Sequence, residues 1–205
     1  PEKASIKNIK PGESVHMLGI SFNSDLNDNH PQQAKIAQRT AQIERTLNHK
    51  RPTLQELRTF RNAAVITRAG FDPLSARLPI RFAKDLDKKA IPSLLHLIGL
   101  RSTDRSAGLH AHPKNGGLGL RTYAAEIIAG KARELEIILN SPALDGQIAR
   151  MMYEDAKMDP NCKYPNIIRE AVEELARAGI MLRDRRFEIA SRALDLAIEM
   201  RSART

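Results

Sequence analysis

Apolar residues recur along most of this chain at the three-to-four-residue spacing of helices. The exception is Val15-His16-Met17-Leu18-Gly19-Ile20-Ser21-Phe22, which alternates roughly in polarity and predicts one short strand or hairpin near the N-terminus. Asn23 to Asn29 is polar and turn-rich. Pro31 suits the first turn of a helix running to about Leu47, with Ile36, Ile43 and Leu47 on one stripe. Thr53 and Glu56 form a T-x-x-E capping box that opens a second helix. Its inner face is expected to carry Leu57, Phe60 and Ala64, with Arg58, Arg61 and Arg68 on another face and Gly70 at its end. Asp72-Pro73 restarts the chain, and Pro79 and Pro92 are expected to break the next stretch into short helical pieces.

Gly99 to Arg121 reads as a long loop ending in Lys114-Asn115-Gly116-Gly117-Leu118-Gly119-Leu120. Helices then return at about 122–139, at 142–158 with Ser141 as cap and Pro142 at the first position, and at about 166–178 closed by Gly179. A last helix is predicted from about 183 to 202, with Phe187, Ala190, Leu194, Ala197 and Ile198 as its stripe. The fold class is therefore mainly α.

Charge changes the picture because it is uneven. The 205 residues hold 33 Lys+Arg and 24 Asp+Glu, a net +9. Residues 1–120 hold 19 basic and 10 acidic residues, and residues 121–205 hold 14 of each, so the whole excess lies in the first part. That split, with the Gly-rich loop, sets a boundary near 120 between a basic part, 1–120, and a neutral helical part, 121–205. A basic region beside a neutral one points to a polyanion, with nucleic acid the usual one. A merely solvated basic surface is the competing reading. Aromatics at 4% and no Trp speak against an aromatic-laddered β-sandwich. A single cysteine excludes an internal disulfide framework and fits an intracellular setting, whether nucleus, cytoplasm or organelle. Apolar runs of about four residues predict no membrane span. The first residue is Pro1 rather than Met, which reads as a processed or cut terminus.

Candidate chemistry is sparse. Arg58, Arg61 and Arg68, at helical spacing, suit phosphate oxygens through their guanidinium forks, or form a solvated helix face. Gly116, Gly117 and Gly119 before a helix could cradle a phosphate. The pattern fits no nucleotide fingerprint, however, and an architectural turn is favoured. His110 and His112 lack Cys or carboxylate neighbours at metal spacing and read as surface loop histidines, and Cys162 reads as a free thiol in a turn. Asp85 and Asp87 read as helix-surface carboxylates. No metal, cofactor or catalytic constellation is expected.

Three ordered pieces resemble the C-terminal part of the reverse transcriptase of LINE-type (non-LTR) retrotransposons. Val15-His16-Met17-Leu18-Gly19-Ile20 looks like the Leu-Gly strand that ends the palm and forms the primer grip. The two helices at 31–69, followed by Ala76-Arg77-Leu78-Pro79 and Leu86-Asp87-Lys88-Lys89-Ala90-Ile91, resemble that family's thumb. Leu109-His110-Ala111-His112-Pro113-Lys114-Asn115-Gly116-Gly117-Leu118-Gly119-Leu120-Arg121 looks like its GGLGLR stretch, the most specific of the three. The resemblance covers roughly 13–140. It omits the family's catalytic aspartates, expected upstream of the Leu-Gly strand, and its Cys/His zinc knuckle.

The resemblance implies a helical thumb-like bundle without polymerase chemistry, either a fragment of a larger enzyme or a retrotransposon-derived protein inside a ribonucleoprotein such as a ribosome. The expected function is non-catalytic binding of RNA or an RNA–DNA duplex through backbone phosphates. Arg58, Arg61, Arg68, Arg77, Arg81, Lys84, Lys88 and Lys89 are the expected contacts, with a protein partner on the 121–205 helices. The alternatives are the C-terminal fragment of an active RNA-directed DNA polymerase and a helical protein–protein adapter. Lacking paired metal-binding carboxylates, the isolated chain should not extend a primer with Mg²⁺ or Mn²⁺. Templated incorporation by pure protein, lost on mutating a residue of this chain, would overturn that expectation.

Overall fold

A computed structural model describes residues 14–17, 20–23, 30–66, 73–74, 76–101, 107–158, 166–183 and 186–189. It is mainly helical. Strands β1 (Ser14–Met17) and β2 (Ile20–Asn23) pair antiparallel, with Val15 opposite Phe22. Helices α1 (His30–Lys50) and α2 (Leu54–Phe60) come next, and α2 runs on into a π-helical turn, Arg61–Val65. Then come α3 (Ile80–Leu97), the short α4 (Ala107–His110), a 3₁₀ turn (Pro113–Asn115), α5 (Tyr123–Asn140), α6 (Leu144–Met158) and α7 (Ile167–Arg177). A second antiparallel hairpin, β3 (Ile180–Arg183) and β4 (Arg186–Ile189), comes last.

The T-x-x-E box starts α2 as its spacing predicts. Glu56 N–H donates to Thr53 Oγ1 at 3.4 Å, and Thr53 N–H donates to the Glu56 carboxylate at 2.8 Å. Beyond α2 the inner face departs from the predicted one. Leu57, Arg61 and Val65, spaced four apart, line up at the core, while Phe60 is 45% exposed. Pro92 does not break its helix. It is exposed within α3, and so is Lys88, whose carbonyl loses its partner at Pro92 and can turn to water. Leu86, Ala90, Leu94 and Leu95 keep the opposite face buried across that gap.

The predicted 183–202 helix is corrected at its start. Gly179, at φ 81, ends the preceding helix, and Ile180-Met181-Leu182 and Phe187-Glu188-Ile189 then alternate in the hairpin. Ala190, Leu194, Ala197 and Ile198 lie outside the described residues. Two apolar clusters form the core. The first gathers Leu47, Leu57, Ile66, Leu78, Leu95, Leu109, Leu120 and Ile127. The second gathers Leu74, Leu135, Leu139, Ala149, Ile168 and Leu175. The change from one to the other falls within α5, between Ile127 and Leu135.

The Gly-rich segment packs as tightly as the helices. Gly116 and Gly119 take positive φ, 76 and 64. Gly117 does not, but a Cβ there would collide with the Ala111 carbonyl. Gly117→Ala should therefore lower the melting temperature, with a destabilisation of about 1–3 kcal/mol from overpacking. Gly108→Ala meets nothing within 4 Å and should be neutral or slightly stabilising. Thermal unfolding of the two variants side by side checks the contrast.

Candidate nucleic-acid interface

The basic residues singled out in the sequence divide into three environments. Arg81, Lys84, Lys88 and Lys89 are exposed on α3. Arg81, Lys84 and Lys88 are spaced three and four apart and share one side, with Lys89 flanking it. Asp85 stands 3.9 Å from Lys88, a loose contact between two solvated side chains. Arg58 is also exposed, but on α2, where it borders the Gly119 turn. Arg68 lies outside the described residues.

Arg61 and Arg77 face protein rather than solvent. Arg61 is 1% exposed, and its guanidinium carbon lies 5.1 Å from the centre of the Tyr123 ring. The predicted Arg58/Arg61/Arg68 phosphate face is thus corrected at Arg61, which lies one α-helical turn after buried Leu57 and shares its inward side. Arg77 takes a left-handed φ of 47, and its Nη2 donates to both Glu170 carboxylate oxygens at 2.6 Å. With Lys131, 4% exposed and bonded to Glu174 at 2.5 Å, Arg77 helps line a cavity of about 320 Å³ between α7 and the start of α3.

The surroundings of Arg61 are polar but sparsely bonded. Among the described residues, Arg61 Nε and Nη1, Glu44 Oε1, Asn48 Oδ1 and the Tyr123 hydroxyl are buried without a hydrogen-bond partner. Burial pushes the Glu44 carboxyl above its ordinary value, and the Arg61 charge pulls it partway back. Burial likewise holds the Tyr123 hydroxyl above the usual tyrosine range, opposed by Arg61 and by Thr40 nearby.

The Gly-rich turn leaves no N–H for a phosphate. Gly116, Gly117, Leu118, Gly119 and Leu120 donate to the carbonyls of Pro113, His112, Gly108, Ala111 and Leu109 at 2.9–3.3 Å. Arg121 N–H donates to Asn62 Oδ1 at 2.9 Å. Asn62 Nδ2 in turn donates to the Gly119 carbonyl at 2.9 Å, so one side chain on the π turn grips the segment twice. Asn62 does not stand out in the sequence, because an Asn within a helical pattern carries no sign of a partner 57 residues away.

Asp87 is also corrected. It is half-buried and accepts from Tyr123 N–H at 2.8 Å and Ala124 N–H at 3.0 Å, capping α5 from α3. His110 is half-buried rather than on the surface, its Nδ1 donating to the Leu120 carbonyl at 2.8 Å. His112 accepts from Lys114 N–H at 3.2 Å. No cluster of three or more potential metal ligands occurs among the described residues.

The upward shift of Glu44 has a sign. The folded chain holds that proton more tightly than the unfolded one, so the contribution is fully present below the ordinary value of 4.5 and is lost as pH rises through the folded value. Glu44→Gln should remove that part of the pH dependence. Denaturant unfolding from pH 4 upward should show the parent losing an increment of stability that the variant keeps, and parallel profiles would contradict it. In comparisons with known proteins, the chain matches no family model, no curated protein and no solved structure.

Proposed function

We propose that this chain binds RNA or an RNA–DNA duplex through backbone phosphates and performs no catalysis itself. The observation that carries the reading is the exposed cationic side of α3. From Arg81 to Lys88 it spans about 10 Å at 1.5 Å per residue, long enough to meet successive phosphates of one strand. It belongs to the part of the chain that holds the whole +9. The helix beneath is held rigid by its buried face and by Asp87 bound to α5, so the cations are presented from a fixed support.

A second reading, a protein-binding adapter, is favoured by one observation. Leu144, Ile148, Met151 and Met158 form an exposed apolar stripe on α6, between 49% and 85% exposed. A protein partner on the neutral helices is compatible with either function. No helix among the described residues is long and apolar enough to cross a membrane.

Converting Arg81, Lys84 and Lys88 together to Gln tests the phosphate reading. The matched control converts Arg133, Lys157 and Arg177, exposed cations of the neutral part. In a salt titration of RNA binding, the first triple should weaken affinity and flatten the log–log slope by about 0.7–0.9 for each phosphate no longer neutralised. The control should change little, and sequence preference should stay slight. Equal losses from both triples, or no RNA binding by the parent at low salt, would overturn the proposal.

A further inference from the structure

We infer that the groove between the end of α1 and α2 seats an unpaired nucleobase of a single-stranded RNA, stacked on Phe60 with its phosphate toward Lys50 and Arg51. This rests on the nucleic-acid reading above and specifies a form of the ligand that the α3 cations do not distinguish. The groove is open, with a volume of about 790 Å³, and Leu47, Lys50, Gln55, Glu56, Thr59 and Phe60 contribute to its walls. Phe60, the last residue of α2, is 45% exposed on this side. An open aromatic face accepts any base by stacking. Gln55 and Thr59 both donate and accept, so they can meet a base edge without demanding one sequence.

Charge argues for a nucleic-acid strand rather than a protein side chain. Besides the buried Arg61, residues 30–66 hold six Lys+Arg (Lys35, Arg39, Arg45, Lys50, Arg51 and Arg58) against Glu44 and Glu56. Glu44 is half-buried and feels the charge of Arg61, and Glu56, on the groove wall, accepts from Thr53 within its capping box. The groove wall itself carries Lys50 and Glu56, and the helices that bear it are positive overall, with Arg51 exposed next to Lys50. The groove also stands close to the phosphate stripe. Asn48 Nδ2 on α1 donates to Ser93 Oγ on α3 at 2.7 Å, about one helical turn beyond Lys89. One strand can pass from the stripe to the groove. A duplex keeps its bases paired and stacked, and so can use the stripe alone.

The chain has no tryptophan, so Phe60→Trp installs a unique fluorophore in the groove of the full-length protein. Titration with a single-stranded oligouridylate should quench it saturably, while the same strand annealed to its complement should leave it unchanged. Phe60→Ala should weaken oligouridylate binding about tenfold and leave duplex affinity within about twofold, and Phe60→Tyr should retain parental binding. Melting temperatures of the variants, with an exposed ring altered, should stay near the parent's. Parental affinity in Phe60→Ala with no quenching in Phe60→Trp would overturn the inference while leaving the α3 reading intact. That is also the result expected if the groove holds a protein partner's apolar side chain. Equal losses on single strand and duplex would likewise overturn it, and no binding of either form by the parent would sink both proposals.

Discussion

Burial of the Arg61 guanidinium is the constraint around which the basic part is arranged. Removing such a charge from water costs several kcal/mol unless neighbouring groups compensate. Here the compensation comes from two elements: the Glu44 charge from α1 and the Tyr123 ring from α5. The π turn that begins at Arg61 presents Asn62 to the Gly119 carbonyl and the Arg121 N–H, and Phe60 just before it is exposed. The buried polar atoms left without protein partners mark a region suited to internal water.

Away from that region, ions as well as apolar packing hold the elements together. Lys131 with Glu174 ties α5 to α7, and Arg77 with Glu170 ties the turn before α3 to α7. Both are short pairs on partly or wholly buried side chains, where removing one partner costs more than at a solvated surface. Their functional effect is subtraction. Arg77 is engaged in holding the scaffold, and the cations that can meet a ligand are those on the outer side of α3 and around α1 and α2.

Elements whose cause is local are legible in the sequence. The Thr53–Glu56 box, the Pro31 start of α1, the helix ending at Gly179 and the alternating residues near Val15 all depend on neighbouring residues. The features hidden from a sequence reading depend on distant partners. Nothing near Arg61 announces a π turn, and an arginine in a basic stripe resembles its solvated neighbours until the ring of Tyr123 is brought to it. Asp87 looks like a surface carboxylate until α5 points its first N–H groups at it. The β3–β4 hairpin is hidden because Phe187 fits a helical stripe as well as it fits strand alternation. Of the candidate interface, the α3 cations are plain in the sequence, whereas Phe60 has the spacing of a core residue and yet is exposed, Arg61 taking the inward position beside Leu57.

The segment from Ala107 to Arg121 holds only one short helix and a 3₁₀ turn, the profile of a region whose amides trade with solvent freely. Yet its N–H groups from Asn115 through Arg121 are all engaged, and Leu109 and Leu120 are nearly sealed from water. In deuterium uptake the irregular segment should behave as a cooperative unit with the helices around it, opening with the core rather than ahead of it. A connection of this kind resists nicking and insertion as a core helix does, although its shape on paper is that of a loop.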